Sequence, residues 1–311
     1  MSSKSNVAII DMGTNTFHLL VAEMSSKPKI LRREREAVKV GKGGINKGFI
    51  TEEGFERALN CLIRFKKVVE EYGVRSTLVF GTSAFRNASN GSELIKEISD
   101  RTGFDARIID GKEEADYIYK GVRAGMDLGK ENSLIVDIGG GSVEFIIGNQ
   151  DGVQWKRSFE IGGQRLLEEY HKTEPIDARD VIVLADFLKE QLKPLADQLR
   201  HFTPPTLVGV SGTFDTLSEM FCHRKDLPYY PDDSETPFDI ECFPGIFTDL
   251  LKNDRAGRLA LPGMIEMRVD MIVVAAVVVD VILQMQKFNN IRVSTYSLKE
   301  GVLASLLPQN G

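Results

Sequence analysis

Two short segments of the sequence combine an aspartate, glycines and hydroxyl side chains directly after an apolar run. The first reads DMGTNTFHLLVA from Asp11, and the second reads DIGGGSVEFIIG from Asp137. Glycine lets the backbone approach a ligand closely, and successive amide N–H groups in such a turn bind anions. An aspartate at the end of a strand is an oxygen ligand suited to Mg²⁺, which is often shared with a phosphate. Each segment therefore predicts a hairpin that holds a phosphoryl group.

The two segments also correspond position by position. Their aspartates, glycines and hydroxyl residues fall in register, with Asp11 on Asp137, Gly13 on Gly139 and Thr16 on Ser142. Each segment is followed later in the chain by a strand that ends in a Gly/Ser/Thr turn before a helix, at 81–83 and at 209–213. Internal similarity of this kind indicates one structural unit used twice. The sequence therefore predicts two equivalent α/β domains, each with an anion-facing hairpin.

Hydrolysis also needs a group that activates water, and three glutamates are candidates. Glu113 and Glu114 lie at the start of a predicted helix, and Glu144 lies two residues after Ser142. Acidic residues at a helix N-terminus also complement the helix dipole, so the first pair has a purely structural interpretation as well. Arg86 follows the turn at 81–83 and could neutralise a phosphate through paired hydrogen bonds, although a surface arginine fits the same position.

Hydrophobic periodicity and turn signals predict the elements that carry these residues. The first third of the chain has the order β-β-β-α-β-α-β, a further helix opens at Glu113, and the pattern restarts with a strand at 133–138. The end of the chain is predicted to be mostly helical, with a loop at 225–240 and a buried helix at 271–279. The predicted strands are 7–10, 19–22, 30–39, 76–80, 106–109, 133–138, 144–148, 153–161, 206–210 and one near 291–294, and the predicted helices include 51–73, 92–102, 166–170 and 177–200.

The composition is that of a soluble globular protein. The 311 residues carry a formal net charge of −6 and are 42% hydrophobic, which is enough to form a packed core in about two domains. The acidic balance argues against nucleic-acid binding, and the apolar run at 271–279 is too short to span a membrane. Three widely spaced cysteines favour a reducing compartment, so a cytoplasmic location is predicted. The sequence contains no P-loop, Rossmann, serine-hydrolase or zinc-protease motif.

Eight stretches spread along nearly the whole chain are similar to one known family. Five are strong matches, IDMGTNTFHLLVA, GTSAFRNASN, IIDGKEEADYIYKGV, VDIGGGSVEFIIG and SFEIGGQRLLEEY, and three are weaker, GVSGTFDTL, LPGMIEMRVDMIVVAAVVV and VSTYSLKEGVL. On these stretches the chain resembles the exopolyphosphatase / guanosine pentaphosphate phosphohydrolase family. The resemblance implies an α/β, duplicated actin-like fold of the ribonuclease H-like class, shared with sugar kinases and heat-shock ATPases. It also implies a cleft between two lobes, at 1–124 plus 298–311 and at 125–297.

The resemblance further implies roles for individual residues. The catalytic glutamate of the family falls on Glu114, as general base on the attacking water, with Glu113 as the fallback assignment. Its second acidic residue corresponds to Glu144, which could share the metal, and its metal-associated aspartate corresponds to Asp137, with Asp11 as the counterpart in the first hairpin. The implied cofactor is Mg²⁺ or Mn²⁺. The residues implied to contact phosphate are Thr14, Asn15, Thr16, Gly140, Gly141, Ser142, Arg86 and Arg268.

Three features depart from the family pattern. Gly-Gly-Thr, which is frequent in the second lobe of the family, appears as Ser-Gly-Thr at 211–213, and the late LREG motif appears as Leu-Lys-Glu-Gly at 298–301. Longer members also carry a C-terminal helical domain of the HD type, which this sequence lacks. Because that domain supports the dimer and the processivity of longer members, a homodimer is left open here.

The substrate is left open between two phosphoanhydrides. Inorganic polyphosphate is the preferred prediction, with Lys39, Lys42 and Lys47 as candidates for a basic track, although a solvated loop fits these lysines equally well. Guanosine pentaphosphate is the alternative, and the sequence shows no clear surface for its base. Two other classes remain open, an actin-like kinase that uses ATP and a non-catalytic sensor of phosphate or nucleotide.

Overall fold

The computed structural model describes residues 5–307, which form two compact units. Unit 1 contains the chain up to Lys120 together with the residues from Leu298 onward, and unit 2 is Gly121–Ser297. Unit 1 is thus assembled from two separate parts of the chain, with the whole of unit 2 between them in sequence. The expected domain boundary at 124/125 stays a prediction.

The described residues contain eleven strands and twelve α-helices. The strands are β1 Asn6–Met12, β2 Thr16–Glu23, β3 Lys29–Ala37, β4 Ser76–Gly81, β5 Ala106–Ile108, β6 Ser133–Ile138, β7 Val143–Gly148, β8 Val153–Phe159, β9 Thr206–Val210, β10 Glu235–Thr236 and β11 Asn290–Ser294. The helices are α1 Glu52–Glu71, α2 Ser83–Asn87, α3 Gly91–Thr102, α4 Gly111–Gly125, α5 Gly163–Tyr170, α6 Ala178–Gln191, α7 Lys193–Phe202, α8 Ser211–Arg224, α9 Phe243–Lys252, α10 Arg255–Leu259, α11 Ile272–Met285 and α12 Leu298–Ser305.

The two units share one sheet topology. The sheet of unit 1 has the order β3-β2-β1-β4-β5, and the sheet of unit 2 has the order β8-β7-β6-β9-β11, with the short β10 added at its edge. In each unit the first three strands pair antiparallel as a meander. Two further strands extend the sheet in parallel, with β4 on β1 and β5 on β4 in unit 1, and β9 on β6 and β11 on β9 in unit 2. The predicted duplication of an α/β unit is therefore confirmed, and it places the two Asp-x-Gly turns at equivalent ends of β1 and β6.

Burial explains why these segments form the centre of each unit. Every residue of β6 and β7 is buried, as expected for strands covered on both faces. Helix α11 is buried along nearly all of its length and packs against α5, α6 and α9, which confirms the buried helix predicted at 271–279. In unit 1, α1 begins after Thr51, whose hydroxyl accepts a hydrogen bond from the Gly54 N–H at 3.1 Å. The apolar face of α1 then covers the sheet.

Three local predictions differ from the structure. The single helix predicted at 177–200 is wrong, because the chain breaks between α6 and α7 at Leu192 and restarts with a proline at its second position. Proline lacks the N–H that a continuous helix would use. Helix α2 was not predicted, since its five residues are too few to show a hydrophobic period. The two residues of β10 lie inside the predicted loop 225–240, where they pair with the end of β11.

A buried arginine holds the segment that leads into α11. Arg258 is fully buried, and its guanidinium donates hydrogen bonds to the carbonyl oxygens of Val269 and Asn253 and to both carboxylate oxygens of Glu174. Val269 follows Arg268 directly, so this network also holds the backbone beside one of the predicted phosphate-binding residues.

No helix within residues 5–307 combines the length and apolarity needed to cross a bilayer.

Candidate active site

The turn between β1 and β2 is held from outside by the loop that follows β3. The Lys39 N–H donates to the carbonyl of Asn15 at 2.8 Å, and the Gly41 N–H donates to the carbonyl of Thr14 at 3.0 Å. Thr14, Asn15 and Thr16, three of the predicted phosphate-binding residues, are all buried. Within residues 5–307 the Thr14 hydroxyl is buried and has no hydrogen-bond partner. Because a buried hydroxyl is stabilised by a partner, this atom is suited to a ligand oxygen.

Arg86 and Glu114 form a nearly buried ion pair in unit 1. The Arg86 Nη1 donates to Glu114 Oε2 at 2.8 Å and to the carbonyl of Ile109 at 3.1 Å, and Glu114 is only 8% exposed. Helix α2 brings the arginine to this place, since its first turn follows Thr82 directly after β4. The structure thus joins two residues that the sequence singled out separately. A carboxylate held against a cation in this way is oriented, which is what a general base requires.

The adjacent glutamate lies in different surroundings. Glu113 is paired with Arg107, whose Nη1 donates to Glu113 Oε2 at 2.9 Å, and its side chain is 34% exposed. The hydrogen bond from Arg107 lowers the pKa of Glu113 below its ordinary value. Arg107 contacts both carboxylate oxygens of Glu113, and the Glu113 side chain is more exposed than that of Glu114. Of the two candidates left open by the sequence, Glu114 has the environment that fits the catalytic role.

An aspartate cap sets where α4 begins. Asp110 Oδ1 accepts hydrogen bonds from the backbone N–H groups of Lys112 and Glu113, each at 2.8 Å. These bonds, the one from Glu113 foremost, lower the pKa of Asp110. Because a capping carboxylate fixes the first turn of a helix, it also fixes the position of Glu114 in that turn.

Replacing Asp110 with alanine is expected to lower the free energy of unfolding by about 1 kcal/mol at neutral pH, since the first turn of α4 loses its cap. The lowered pKa means that this contribution is present above the ordinary pKa of aspartate and is lost as the pH falls through the lowered value. Denaturant unfolding should therefore show a full difference from wild type at neutral pH and a smaller one below about pH 4. Asp110→Asn, which keeps a capping acceptor, is the control. A difference that persists unchanged into strong acid would contradict the assignment.

The turn between β6 and β7 is clamped by the start of α5. The N–H groups of Gly162, Gly163 and Gln164 donate to the carbonyls of Gly141, Gly139 and Gly140 at 3.2, 2.8 and 2.8 Å. We call residues Gly162–Arg165 the clamp segment, since the Arg165 Nε also donates to the Gly141 carbonyl at 2.8 Å. Among the described residues no hydrogen bond uses the N–H of Gly140 or Gly141. With their carbonyls held, these two amides form the kind of N–H nest that binds an anion.

The clamp requires glycine at its first position. A Cβ atom at Gly162 would lie 2.4–2.5 Å from backbone atoms of Gly140 and Gly141, far inside van der Waals contact. The backbones of the two segments therefore approach as closely as they do only because Gly162 has no side chain.

Two buried carboxylates lie opposite each other beside this turn. Asp137 and Glu144 are directly paired across β6 and β7, so their side chains share one face of the sheet, and they are 7% and 1% exposed. Glu144 Oε1 accepts a hydrogen bond from the Ser158 hydroxyl at 2.6 Å. Like charges directly opposite each other on neighbouring strands are destabilising, and a bound cation would offset that repulsion. In unit 1 the equivalent partner of Asp11 is His18, so the first hairpin lacks the second carboxylate.

The donor set of unit 2 fits a hard divalent cation. Mg²⁺ is commonly held by one or two carboxylates while phosphate and water supply its other oxygen ligands. Within residues 5–307 no group of three or more His, Cys, Asp or Glu side chains forms a self-sufficient metal site. The pair of Asp137 and Glu144 therefore fits such a cation, whose remaining oxygen ligands would come from water or from phosphate.

Two serine hydroxyls contact Asp137, and Arg268 packs over the glycine that follows one of these serines. Asp137 Oδ2 accepts hydrogen bonds from the hydroxyls of Ser211 at 2.7 Å and Ser297 at 2.8 Å. The Arg268 guanidinium packs over Gly212, where a Cβ would lie 1.9 Å from the Arg268 Nη2. In the Ser-Gly-Thr stretch at 211–213, the serine therefore donates to Asp137, and the glycine leaves room for the guanidinium of Arg268.

Comparison with known proteins identifies the chain. The family model of the Ppx/GppA phosphatase family matches residues 19–310. The chain belongs to this family. Among solved structures, an exopolyphosphatase from Cytophaga hutchinsonii is 43% identical, with 97% of each chain covered and a TM-score of 0.94. The Ppx/GppA family member from Aquifex aeolicus has the same fold at 24% identity and a TM-score of 0.79, with 97% of each chain covered.

Two curated relatives are similar to this chain over only a part of their own sequences. A bifunctional 3-dehydroquinate synthase/phosphatase from Fusobacterium nucleatum is 36% identical over 67% of this chain and 33% of the relative. A guanosine-5'-triphosphate,3'-diphosphate pyrophosphatase from Photobacterium profundum is 32% identical over 68% of this chain and 43% of the relative. The matched region thus spans less than half the length of each of these two relatives. The resemblance to a phosphatase family and the duplicated α/β fold, both inferred from the sequence, are confirmed.

The structure also adds residues to the candidate site of this Ppx/GppA phosphatase. Sequence reasoning identified Asp137, Glu144 and Arg268, but not the hydroxyls that hold the first two or the glycine of the clamp segment. Ser211 could have been suspected, because it departs from the family pattern. The residues that were missed are Ser158, Gly162, Ser211, Gly212 and Ser297.

Proposed function

We propose that this Ppx/GppA phosphatase is an exopolyphosphatase, which hydrolyses the terminal phosphoanhydride of inorganic polyphosphate and releases orthophosphate. The observation that carries the choice of substrate is the similarity to the Cytophaga hutchinsonii exopolyphosphatase, at 43% identity over 97% of both chains. The Arg86–Glu114 pair in unit 1 and the Asp137–Glu144 pair in unit 2 have chemistry suited to hydrolysis, and this support does not depend on the similarity.

In this proposal Glu114 is the general base. Water attacks the terminal phosphorus, its proton passes to the Glu114 carboxylate, and the bond to the bridging oxygen breaks, so that the shortened chain leaves with that oxygen. Arg86 holds the carboxylate in place through its Nη1 at 2.8 Å and carries further N–H groups that can contact a phosphoryl oxygen. The burial of this pair favours the role, because charge interactions strengthen where water is excluded.

The phosphoryl group is proposed to be held by backbone amides and side-chain donors. Unit 2 offers as donors the N–H groups of Gly140 and Gly141, the hydroxyl of Ser142 and the guanidinium of Arg268, and unit 1 offers the hydroxyl of Thr14. Such donors stabilise negative charge that develops on the phosphoryl oxygens during the reaction. Asp137 and Glu144 are the residues that would hold Mg²⁺ or Mn²⁺, which supplies charge neutralisation at the phosphate oxygens.

The loop after β3 favours a long polyanion. Its exposed lysines, Lys42 and Lys47, lie on the same loop whose backbone holds the turn of Thr14. Positive charge beside a phosphate turn attracts a chain of phosphates and raises its local concentration. Guanosine pentaphosphate remains the second candidate, because the Photobacterium profundum relative is named a guanosine-5'-triphosphate,3'-diphosphate pyrophosphatase.

The decisive experiment is an assay of orthophosphate release in Mg²⁺ from long-chain polyphosphate and, in parallel, from guanosine pentaphosphate. We expect kcat/KM to be higher with polyphosphate. Preference for the nucleotide would replace the proposal with the second candidate. Transfer of phosphate from ATP to an acceptor would indicate a kinase, and tight binding of polyphosphate without turnover would indicate a sensor. Glu114→Gln protein purified in the same way serves as the control for contaminating phosphatases.

A further inference from the structure

Ser211 has a backbone conformation that serine rarely adopts. It is the first residue of α8, directly after the end of β9, and has a φ of +66°. In this left-handed region the Cβ of an L-residue crowds the neighbouring carbonyl, so glycine is the residue that fits without strain. A strained residue persists only where the surrounding structure or a function retains it.

The Ser211 hydroxyl has a defined partner. It donates to Asp137 Oδ2 at 2.7 Å, and the Ser297 hydroxyl donates to the same oxygen at 2.8 Å. A carboxylate only accepts hydrogen bonds when ionised, so both serines must be the donors. The three residues come from separate places in the chain, namely the end of β6, the start of α8 and the residue before α12. Two donors on one oxygen restrict rotation of the carboxylate.

We propose that Ser211 is a positioning residue, which remains serine in a conformation suited to glycine because its hydroxyl, together with that of Ser297, orients the Asp137 carboxylate for a divalent cation. This inference rests on the proposed function of Asp137. Hydrogen bonds to a metal-binding carboxylate fix its direction, and their loss typically weakens metal affinity or activity by roughly 10–100-fold.

Two substitutions of Ser211 separate positioning from folding. Ser211→Ala and Ser211→Gly both remove the hydroxyl, but only the glycine relieves the strain of a positive φ. We expect the glycine variant to unfold roughly 2–4 °C above the alanine variant. We expect both variants to need about 10-fold more Mg²⁺ than wild type for half-maximal phosphate release. Ser297→Ala, which removes the other donor, should shift the Mg²⁺ requirement in the same direction.

A second readout does not depend on turnover. Without substrate, Mg²⁺ should raise the unfolding temperature of wild type, because a ligand that binds only the folded state stabilises it. Both Ser211 variants should need about 10-fold more Mg²⁺ for the same rise. Thr203→Gly is the matched control, since Thr203 is exposed at the end of α7 with a φ of +42° and is remote in sequence from Asp137. It should raise the unfolding temperature and leave the Mg²⁺ requirement unchanged.

Three results would overturn the inference. One is a Ser211→Gly protein with the Mg²⁺ requirement of wild type, and another is a Mg²⁺ requirement that follows the unfolding temperature across the two variants. The third is a wild-type unfolding temperature that does not respond to Mg²⁺. If wild type releases no phosphate from either substrate, the proposed function fails, while the thermal measurement still decides whether Ser211 orients Asp137 for a cation.

Discussion

Replacement of Glu114 with glutamine is expected to lower kcat for phosphate release from polyphosphate by roughly 10²–10⁴-fold. Glutamine has the same shape and its side-chain carbonyl can still accept the hydrogen bond from Arg86, so the local structure should be retained. It cannot take a proton from water, and that is the property under test. Steady-state release of orthophosphate measures the loss, and thermal unfolding shows whether the variant remains folded.

The matched control for this prediction is Glu113→Gln. Glu113 precedes Glu114 on the same helix turn and loses only a half-exposed pair with Arg107. Exposed ion pairs contribute little, so activity should stay within about twofold of wild type. If Glu113→Gln abolished turnover while Glu114→Gln did not, the base would be Glu113. If both variants kept full activity, neither glutamate would activate the water.

Replacement of Gly162 with alanine is expected to lower kcat/KM by roughly 10²-fold, because the new methyl group forces the clamp segment away from the turn at Gly140 and Gly141. The added Cβ would lie 2.4–2.5 Å from the backbone of that turn, and no flexible side chain is available to move aside. We expect the same crowding to lower the free energy of unfolding by about 1–3 kcal/mol. Phosphate-release kinetics and denaturant unfolding measure the two effects.

The neighbouring glycine provides a control of the same chemical size. A Cβ at Gly163 would first meet the Met271 sulfur at 3.5 Å, an ordinary contact, so Gly163→Ala should have a small effect on both quantities. Equal losses in the two alanine variants would show that crowding at Gly162 is not the cause. A Gly162→Ala protein that is destabilised but has wild-type kcat/KM would show that the turn does not hold the phosphoryl group.

Local patterns predicted the two hairpins and the starts of α1 and α3, because these depend on neighbours in sequence. Each Asp-x-Gly segment is followed by a second strand at a fixed distance, so the spacing predicted that Glu144 lies close to the second turn, and the structure pairs it with Asp137. The limits of that reasoning appear at Asp137 Oδ2. Its donors are Ser211, which follows β9, and Ser297, which is the last residue of unit 2. They lie beside Asp137 only because of the order of the strands in the sheet.

The two glutamates of α4 illustrate the same limit. Glu113 and Glu114 are neighbours in the first turn of α4 and carry the same carboxylate group, so the sequence alone left both as candidates. They point in directions about 100° apart around the helix. One therefore meets Arg107 on the exposed side, and the other meets Arg86 in the interior. The partner, and not the residue type, distinguishes them.

The divided chain of unit 1 has a consequence for synthesis on the ribosome. Helix α12 packs against β1, with Leu298, Val302 and Leu303 buried and Glu300 within 3.4 Å of Arg33. These residues are translated only after all of unit 2. The first part of unit 1 therefore lacks its packing partner α12 until the end of unit 1 has been translated. By that time all residues of unit 2, Gly121–Ser297, are already present. Domains usually fold as units in the order in which they emerge. Here the order is reversed, and the later unit is the first that can be completed.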